Sequence, residues 1–587
     1  MNTPVQRLRQ WLPPLRLPGR RRSGATRTAT AALVLGAMLA VTAACTADDP
    51  APDRPPGSAN PQCDGKLDAA FGAWARAGFS GAVALSTGGR FECLAGYGTA
   101  DDATGARNTA DTVYHIGSVT KAFTATAILK LAEGGKLSLD DPVGKLVPAI
   151  VGPVAKATVR QVLLHTSGIG GSIGADDQPL DRAGAIAAIN KLELVFPPGK
   201  GHAYSNAGYT LLAVVIDTVS GMSYRDYTLA HVLTLPGGAV TGGFGSGQPA
   251  AAGPRAVGYL DDGKPGGSGD FPGPYWTTEG NGSLAMTTRE LATWVHALFR
   301  TTLVTPATAK LASEPGFPVG DGRSYTLGGW MAFDASAYGK PIVGIAGGGG
   351  DIGHNVAVVW IPERDQVIAM SSNRSVLTAE KLLGATVSAL VAGDPLPTPT
   401  APAGGGDPAA IAGKYRLDTG GSLEVTVADN RPRISATGAD AVGALFPPRG
   451  RYFADDLRAH EKRVLSMLAG KTREGRDERQ AIEAEHGPIS AVALGGTIIA
   501  EGEMRTYVAL TTRDGPRLGW YAVDDHSNIG AVELPTEPPA LTLVPVGKNR
   551  YRPDDPTGTG PDVTLDFAGG KVTVTGPAGT TTARRPG

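Results

Sequence analysis

A serine and a lysine stand three residues apart within residues 114–131 (YHIGSVTKAFTATAILKL). Gly117 precedes the pair, and neither Gly nor Pro returns before Gly134. Ala122, Ala125, Thr126, Leu129 and Ala132 recur at helical spacing, which predicts a helix with one face packed into a core. On that helix Ser118 and Lys121 share a face, one turn apart. An ammonium buried beside a hydroxyl at a helix start can activate the hydroxyl for attack on a carbonyl. A capping serine followed by a solvated lysine has the same spacing, so the pair alone does not mean catalysis.

A second element lies at residues 201–209 (GHAYSNAGY), just after FPPGK. Tyr204 and Asn206 alternate across Ser205, so both can face one cleft. A phenol whose pKa is lowered by a nearby ammonium can take a proton from a serine hydroxyl. Asn206 can donate an amide N–H to a substrate carbonyl. Read alone, these residues are by default a packed aromatic and a helix-capping Asn. Residues 170–174 (GGSIG) match the G-x-S-x-G of another hydrolase class, with Ser172 at the nucleophile position. That motif needs a strand before it and a helix after it. Here a Gly-rich loop precedes it and ADDQP follows, and in a chain with 82 glycines chance accounts for it.

Elements on both sides must position these groups. Residues 80–86 and 355–361 alternate like strands, and residues 207–219 and 288–298 like helices. Strands at both ends of a helical middle predict an antiparallel sheet closed by the two chain ends, with helices packed against it: an α+β fold. Beyond a Pro/Gly-rich linker at 394–408 the texture changes. Residues 413–417, 422–427, 506–511 and 571–575 read as short strands, interrupted by one charged helical insert at about 454–486. The expected layout is thus a leader at 1–45, a Pro-rich tether at 46–63, a catalytic domain at 64–393, and a β-rich accessory domain at 409–587.

Taken together, several segments resemble the superfamily of class C β-lactamases and serine D-Ala-D-Ala carboxypeptidases. They are SVTK at 118–121, LLHTSGI at 163–169, and PPGK followed by YSNAGY at 204–209. FSGAV at 79–83, GKLSLDDPV at 135–143 and GSLAMTTRELA at 282–292 agree. The resemblance covers roughly residues 64–393. It implies Ser118 as the acylated nucleophile, Lys121 as its activator, Tyr204 as general base and Asn206 as a substrate-positioning group. It makes His165 a loop anchor. The backbone N–H of Ser118 would supply one oxyanion donor, and the strand edge at 347–350, notably Gly349 and Gly350, the other.

One motif departs from this pattern. The family carries Lys or His, any residue, then Gly before this strand, but here the stretch is GIAGGGGDIGHNV at 344–356. The cationic position falls on Ile345, Gly347 or Gly348 depending on register, with His354 or Arg374 as possible stand-ins. An uncharged position weakens the case for substrates with an essential carboxylate and favours an esterase. The rival readings are a D,D-carboxypeptidase, D-aminopeptidase or weak β-lactamase, and a catalytically silent binding protein of the cell envelope.

Composition narrows the setting. At 587 residues the chain exceeds one ordinary domain, and its formal net charge of −1 offers nucleic acid no basic field. Arg7, Arg9, Arg16 and Arg20 to Arg22 precede an apolar run at 31–44, which is short for a membrane span and suits an export signal. The run ends in TAAC, which resembles a bacterial lipobox with Cys45 as the lipidated residue, although Thr42 replaces the usual Leu. The reading is therefore an exported protein with an N-terminal lipid anchor. Cys63 and Cys93 then remain in an oxidising compartment, where two thiols can form one disulfide. No His/Cys cluster marks a metal site, no cofactor is implied, and the partner is a small-molecule or peptide substrate. Sequence leaves the oligomeric state open.

Overall fold

The computed structural model describes residues 63–586, apart from short stretches at 177, 261–262, 267–274, 301–302, 350–351, 400–406, 429–430, 450–451, 501–502, 524–526 and 528. The expected export signal, Cys45 and nearly all of the tether lie outside the described residues. Among the described residues no helix is long and apolar enough to cross a membrane.

An eight-stranded antiparallel sheet organises the first part of the chain. Its order is Arg90–Tyr97, Gly81–Thr87, Gln366–Ser372, His354–Ile361, Ile342–Gly349, Met331–Phe333, Arg323–Thr326 and Pro315–Gly320. Gly81–Thr87 pairs directly with Gln366–Ser372, so the two ends of the segment close the sheet as the sequence pattern predicts. Gly81 allows this pairing, because a Cβ there would lie 1.9 Å from the Ser371 carbonyl oxygen.

Both faces of the sheet are covered. On one face Val83, Leu85, Ala357 and Val359 pack against Phe71 and Trp74 of the helix Gly65–Arg76 and Leu382, Leu383 and Val387 of the helix Ala379–Ala392. On the other, Ala82, Ala84, Val356 and Val358 meet the helices Thr120–Glu133, Asn206–Ser220 and Thr288–Arg300. The helix Thr120–Glu133 departs from expectation. Sequence periodicity predicts one packed face, but residues from Thr120 to Leu129 and Leu131 are all buried. Its small Ala and Thr side chains let neighbours approach from every side, which a central helix requires.

After the linker, eight strands beginning with Gly413–Leu417 and ending with Gly579–Arg584 form a closed antiparallel barrel. Leu423, Ile434, Leu565 and Val572 help to fill its core. The charged insert is more than one helix. It comprises Ala454–Leu468 and Arg473–His486, separated at Gly470 with φ +75°, and is followed by a separate four-stranded sheet from Ile489–Ala500 to Ile529–Glu533. Sequence alternation identifies strands but not which sheet each joins, because pairing partners are distant in the chain.

Cys63 and Cys93 are joined, tying the start of the described chain to the strand Arg90–Tyr97 across a separation of 30 residues. Removing a crosslink that closes a loop of this size is expected to cost about 3 kcal/mol. Denaturant melts of the oxidised protein and a Cys63→Ser/Cys93→Ser variant measure it, and coincident melts would contradict it.

Candidate active site

Ser118 belongs to a tight 3-10 turn, Gly117–Val119, that leads into the helix Thr120–Glu133. Its side chain makes no capping bond, and the helix cap position is held by Val119. Its Oγ instead accepts from Lys121 Nζ at 3.1 Å and from the Tyr204 hydroxyl at 3.0 Å. Tertiary placement thus removes the capping alternative. Lys121 is only 2% exposed and also donates to Asn206 Oδ1 at 2.8 Å and to the Asn281 carbonyl at 3.1 Å. Its ammonium sits 4.8 Å from the centre of the Tyr204 ring.

Asn206 is free for this role because Ser205 takes the cap. The Ser205 side chain accepts from Gly208 N–H at 2.7 Å, and Asn206 is the first residue of the helix Asn206–Ser220. Asn206 Nδ2 in turn donates to Ser172 Oγ at 3.2 Å. Ser172 is exposed in an irregular segment, without the strand–turn–helix context of a nucleophile elbow. The structure makes it a neighbour of the site.

His165 positions Tyr204 from behind. It adopts a left-handed conformation, φ 59°, which is uncommon for a residue with a side chain. Its Nδ1 accepts the Ser205 N–H at 3.1 Å, and its ring stacks on Tyr204 with centroids 4.5 Å apart. Burial, then the nearby His202 and Lys121, holds its pKa well below the ordinary value, so the imidazole is neutral. This is an anchoring geometry.

The electrostatics reverse one expectation. The Tyr204 phenol is pushed up, above its ordinary value, by burial; the Ser118 hydrogen bond offsets this only in part. Burial lowers Lys121 to about 7 against a smaller opposing effect from Asp176. Desolvation penalises a charged form whichever group carries it, so it disfavours both phenolate and ammonium. The group brought near neutrality is the amine.

The strand Ile342–Gly349 runs against the serine turn. A Cβ on Gly347 would lie 2.5 Å from both the Ser118 and Val119 amide nitrogens, and one on Gly117 would lie 2.6 Å from Gly348 N. The close approach therefore falls at Gly347 and Gly348. Gly349 ends the strand opposite His354, and Gly350 lies outside the described residues.

This contact also sets the register of the departing motif. Gly347 faces the serine turn, and two residues earlier Ile345 packs in the same core as Val119, whereas Ala346 joins the core on the other face. The motif glycine is thus Gly347, and the cationic position is Ile345, 8% exposed. Neither suggested stand-in replaces the charge. His354 is buried, its Nδ1 accepts the His115 N–H at 3.0 Å, and burial followed by His115 lowers its pKa to about 3. Arg374 pairs with Asp102 at 2.6 Å and lies over the Tyr259 ring. Among the described residues no group of three or more His, Cys, Asp or Glu is arranged to hold a metal.

Sequence reasoning missed Asn281, whose contribution is a backbone carbonyl and leaves no residue-type signal. It placed the strand edge at 347–350 beside the serine but did not single out Gly117 and Gly347 as the points of contact. Glycine is common throughout the chain, and only the fold shows which glycines meet another backbone.

A family model described as Beta-lactamase matches residues 68–393. The chain belongs to the Beta-lactamase family. Members of this family with the β-lactamase fold are serine hydrolases. Among individual relatives, "Protein flp" of Staphylococcus aureus strain MW2 is 37% identical over 146 residues, 24% of this chain and 29% of the relative. The chain thus spans less than a third of that relative's length. "Penicillin-binding protein 4*" of Bacillus subtilis strain 168 is 24% identical over 424 residues, covering 67% of this chain and 92% of the relative. The octameric penicillin-binding protein homologue from Pyrococcus abyssi matches in structure with a TM-score of 0.50 at 22% identity. That match covers 81% of this chain and 99% of the homologue, and it supports the fold.

Proposed function

We propose that this family member is an exported serine hydrolase that cleaves esters, or amides, lacking an essential carboxylate, through an acyl-enzyme on Ser118. The observation that carries this reading is Ile345 at the family's cationic position beside a complete Ser118–Lys121–Tyr204–Asn206 cluster. An apolar side chain there offers a substrate carboxylate no partner, and an unpaired buried carboxylate is costly. It leaves nucleophile, proton acceptor and backbone donors in place.

In this mechanism Ser118 Oγ forms a bond to the substrate carbonyl carbon while its proton passes to the neutral amine of Lys121. Backbone N–H groups of Ser118 and of the strand edge at Gly347 and Gly348, where it meets the serine turn, stabilise the oxyanion. Collapse breaks the carbon–oxygen bond of the ester. The departing alkoxide takes the proton from Lys121, relayed through the Tyr204 hydroxyl. Water then attacks the acyl carbon, giving its proton to Lys121; collapse breaks the bond between Ser118 Oγ and the acyl carbon, Oγ takes that proton back, and the acid leaves.

A second reading, a penicillin-recognising enzyme, is favoured by the name of the Bacillus subtilis relative, whose length is largely covered. Labelling separates the two. The ester reading expects a fluorescent fluorophosphonate to label the wild-type protein and not Ser118→Ala, with no labelling by fluorescent penicillin. Penicillin labelling lost in Ser118→Ala would favour the second reading. A wild-type protein that neither probe labels would leave a silent binding protein.

The same proposal puts the protein on the outer face of a membrane, anchored through a lipidated Cys45; the support is the basic, apolar and small-residue order of residues 7–45. Wild-type protein is expected in the detergent phase and Cys45→Ala in the aqueous phase or unprocessed. Partitioning unaffected by that substitution would refute the anchor.

A further inference from the structure

Lys121 is surrounded by three oxygens of two kinds. Asn206 Oδ1 and the Asn281 carbonyl can only accept, so each takes an N–H from the amine. A neutral amine has two N–H groups and one lone pair. The charged amine gives its third N–H to Ser118 Oγ at 3.1 Å. Once that proton is lost and the other two N–H groups stay engaged, the lone pair is directed to Ser118 Oγ, whose hydroxyl can then donate to it. The position of the Asn281 carbonyl therefore helps to decide where the proton acceptor aims.

That carbonyl belongs to the turn at 275–282, which is pressed against two helices. Gly280, with φ +79°, lies so close that a Cβ would sit 2.4 Å from the Tyr209 carbonyl oxygen. Thr124 Oγ1 donates to the Gly280 carbonyl at 2.8 Å. Asn281 Nδ2 donates to Thr210 Oγ1 at 2.9 Å and to the Thr277 carbonyl at 2.8 Å. Glu279 of the turn forms an ion pair with Arg225 of the helix Tyr224–Thr228. Glu279, 2% exposed, accepts from Arg225 through both Nε, at 2.9 Å, and Nη2. Arg225 also donates to the carbonyls of Ser246 at 2.7 Å and Gln248 at 3.0 Å, and lies over the Phe244 ring. Glu279 Oε2 accepts from Ser283 Oγ at 3.3 Å.

A buried ion pair is weak evidence for stability, because desolvating two charges offsets most of their attraction. Its directional hydrogen bonds nevertheless hold a backbone in one place. We propose that Glu279 and Arg225 are positioning residues that hold the Asn281 carbonyl so that the Lys121 lone pair faces Ser118. This rests on the reading of Ser118 as nucleophile.

The test uses the full-length protein and the rate of fluorophosphonate labelling as a function of pH, with Glu279→Gln, Glu279→Asp and Thr210→Val. Thr210→Val removes the acceptor for Asn281 Nδ2 at almost constant volume, and so disturbs the same turn without touching the ion pair. Glu279→Gln and Thr210→Val are each expected to slow maximal labelling about tenfold, a modest share of what misplacement of a reacting group can cost. Probe binding should stay within about twofold and the pH midpoint should move by about half a unit or more. Glu279→Asp should recover part of the rate. Folded variants with wild-type rate and midpoint, even at a lowered Tm, would overturn the proposal. If Glu279→Gln does not fold, Thr210→Val decides by the same criteria. Labelling that survives Ser118→Ala would bring down the nucleophile reading and this inference with it. Labelling abolished in Ser118→Ala but unchanged in Glu279→Gln and Thr210→Val would overturn this inference alone.

Discussion

Lys121→Arg is expected to slow acylation of Ser118 by roughly 10²-fold or more, the scale of a lost general base. Charge and helix propensity both persist in this substitution, so a solvated surface lysine would tolerate it. Lys121 is instead enclosed by Ser118, Asn206 and Asn281, and burial brings its pKa down to about 7. Arginine stays protonated and has no lone pair for the serine proton. The wild-type pH profile provides a second arm. The amine is protonated below about pH 7 and neutral above it, so acylation should rise with pH through that value. The arginine variant should lack this inflection. Stopped-flow acylation with an activated ester, alongside a thermal melt, measures both. Near-normal acylation by the variant would refute the mechanism even with Ser118 as nucleophile.

The same lowered pKa has a sign for stability. Between about 7 and the ordinary lysine value of 10.5 the unfolded state carries a proton at this position that the folded state lacks. Lys121's contribution to stability therefore rises with pH across that window and falls as pH drops toward 7.

Gly347→Ala should lower acylation by about 10²-fold, comparable to loss of one oxyanion donor. The added Cβ would lie 2.5 Å from Ser118 N and from Val119 N and 2.6 Å from the Ile116 carbonyl oxygen. All three are backbone atoms, so no side chain can rotate away. The strand edge and the serine turn must separate, and that separation disturbs the backbone donors that would meet the oxyanion. Gly65→Ala is a control, since nothing lies within 4 Å of a Cβ there. Labelling rates of the two variants, with circular dichroism to establish folding, give the comparison. A folded Gly347→Ala protein labelled at the wild-type rate would remove Gly347 from the site.

The chemistry-bearing types and two of the sheet's strands were legible in the sequence because each leaves a local trace. Ser118 and Lys121 are one helical turn apart, and Tyr204 and Asn206 flank one residue. The stretches read as strands at 80–86 and 355–361 fall on Gly81–Thr87 and His354–Ile361, whereas Gln366–Ser372, which closes the sheet on Gly81–Thr87, was not singled out. The serine–lysine pair remained ambiguous between capping and catalysis because both readings need only spacing. Tertiary structure decided between them by bringing Tyr204 across 86 positions to the Ser118 hydroxyl. Proton affinities were decided at the same level. The sequence reading expected a lowered Tyr204 pKa, but burial raises it and lowers Lys121 instead. Desolvation depends on what surrounds a group from all directions, and neighbours in the chain do not report it. The departing motif divides in the same way. Its want of charge was written in the residue types, whereas its register became definite only when Gly347 met the serine turn and put Ile345 on the same face.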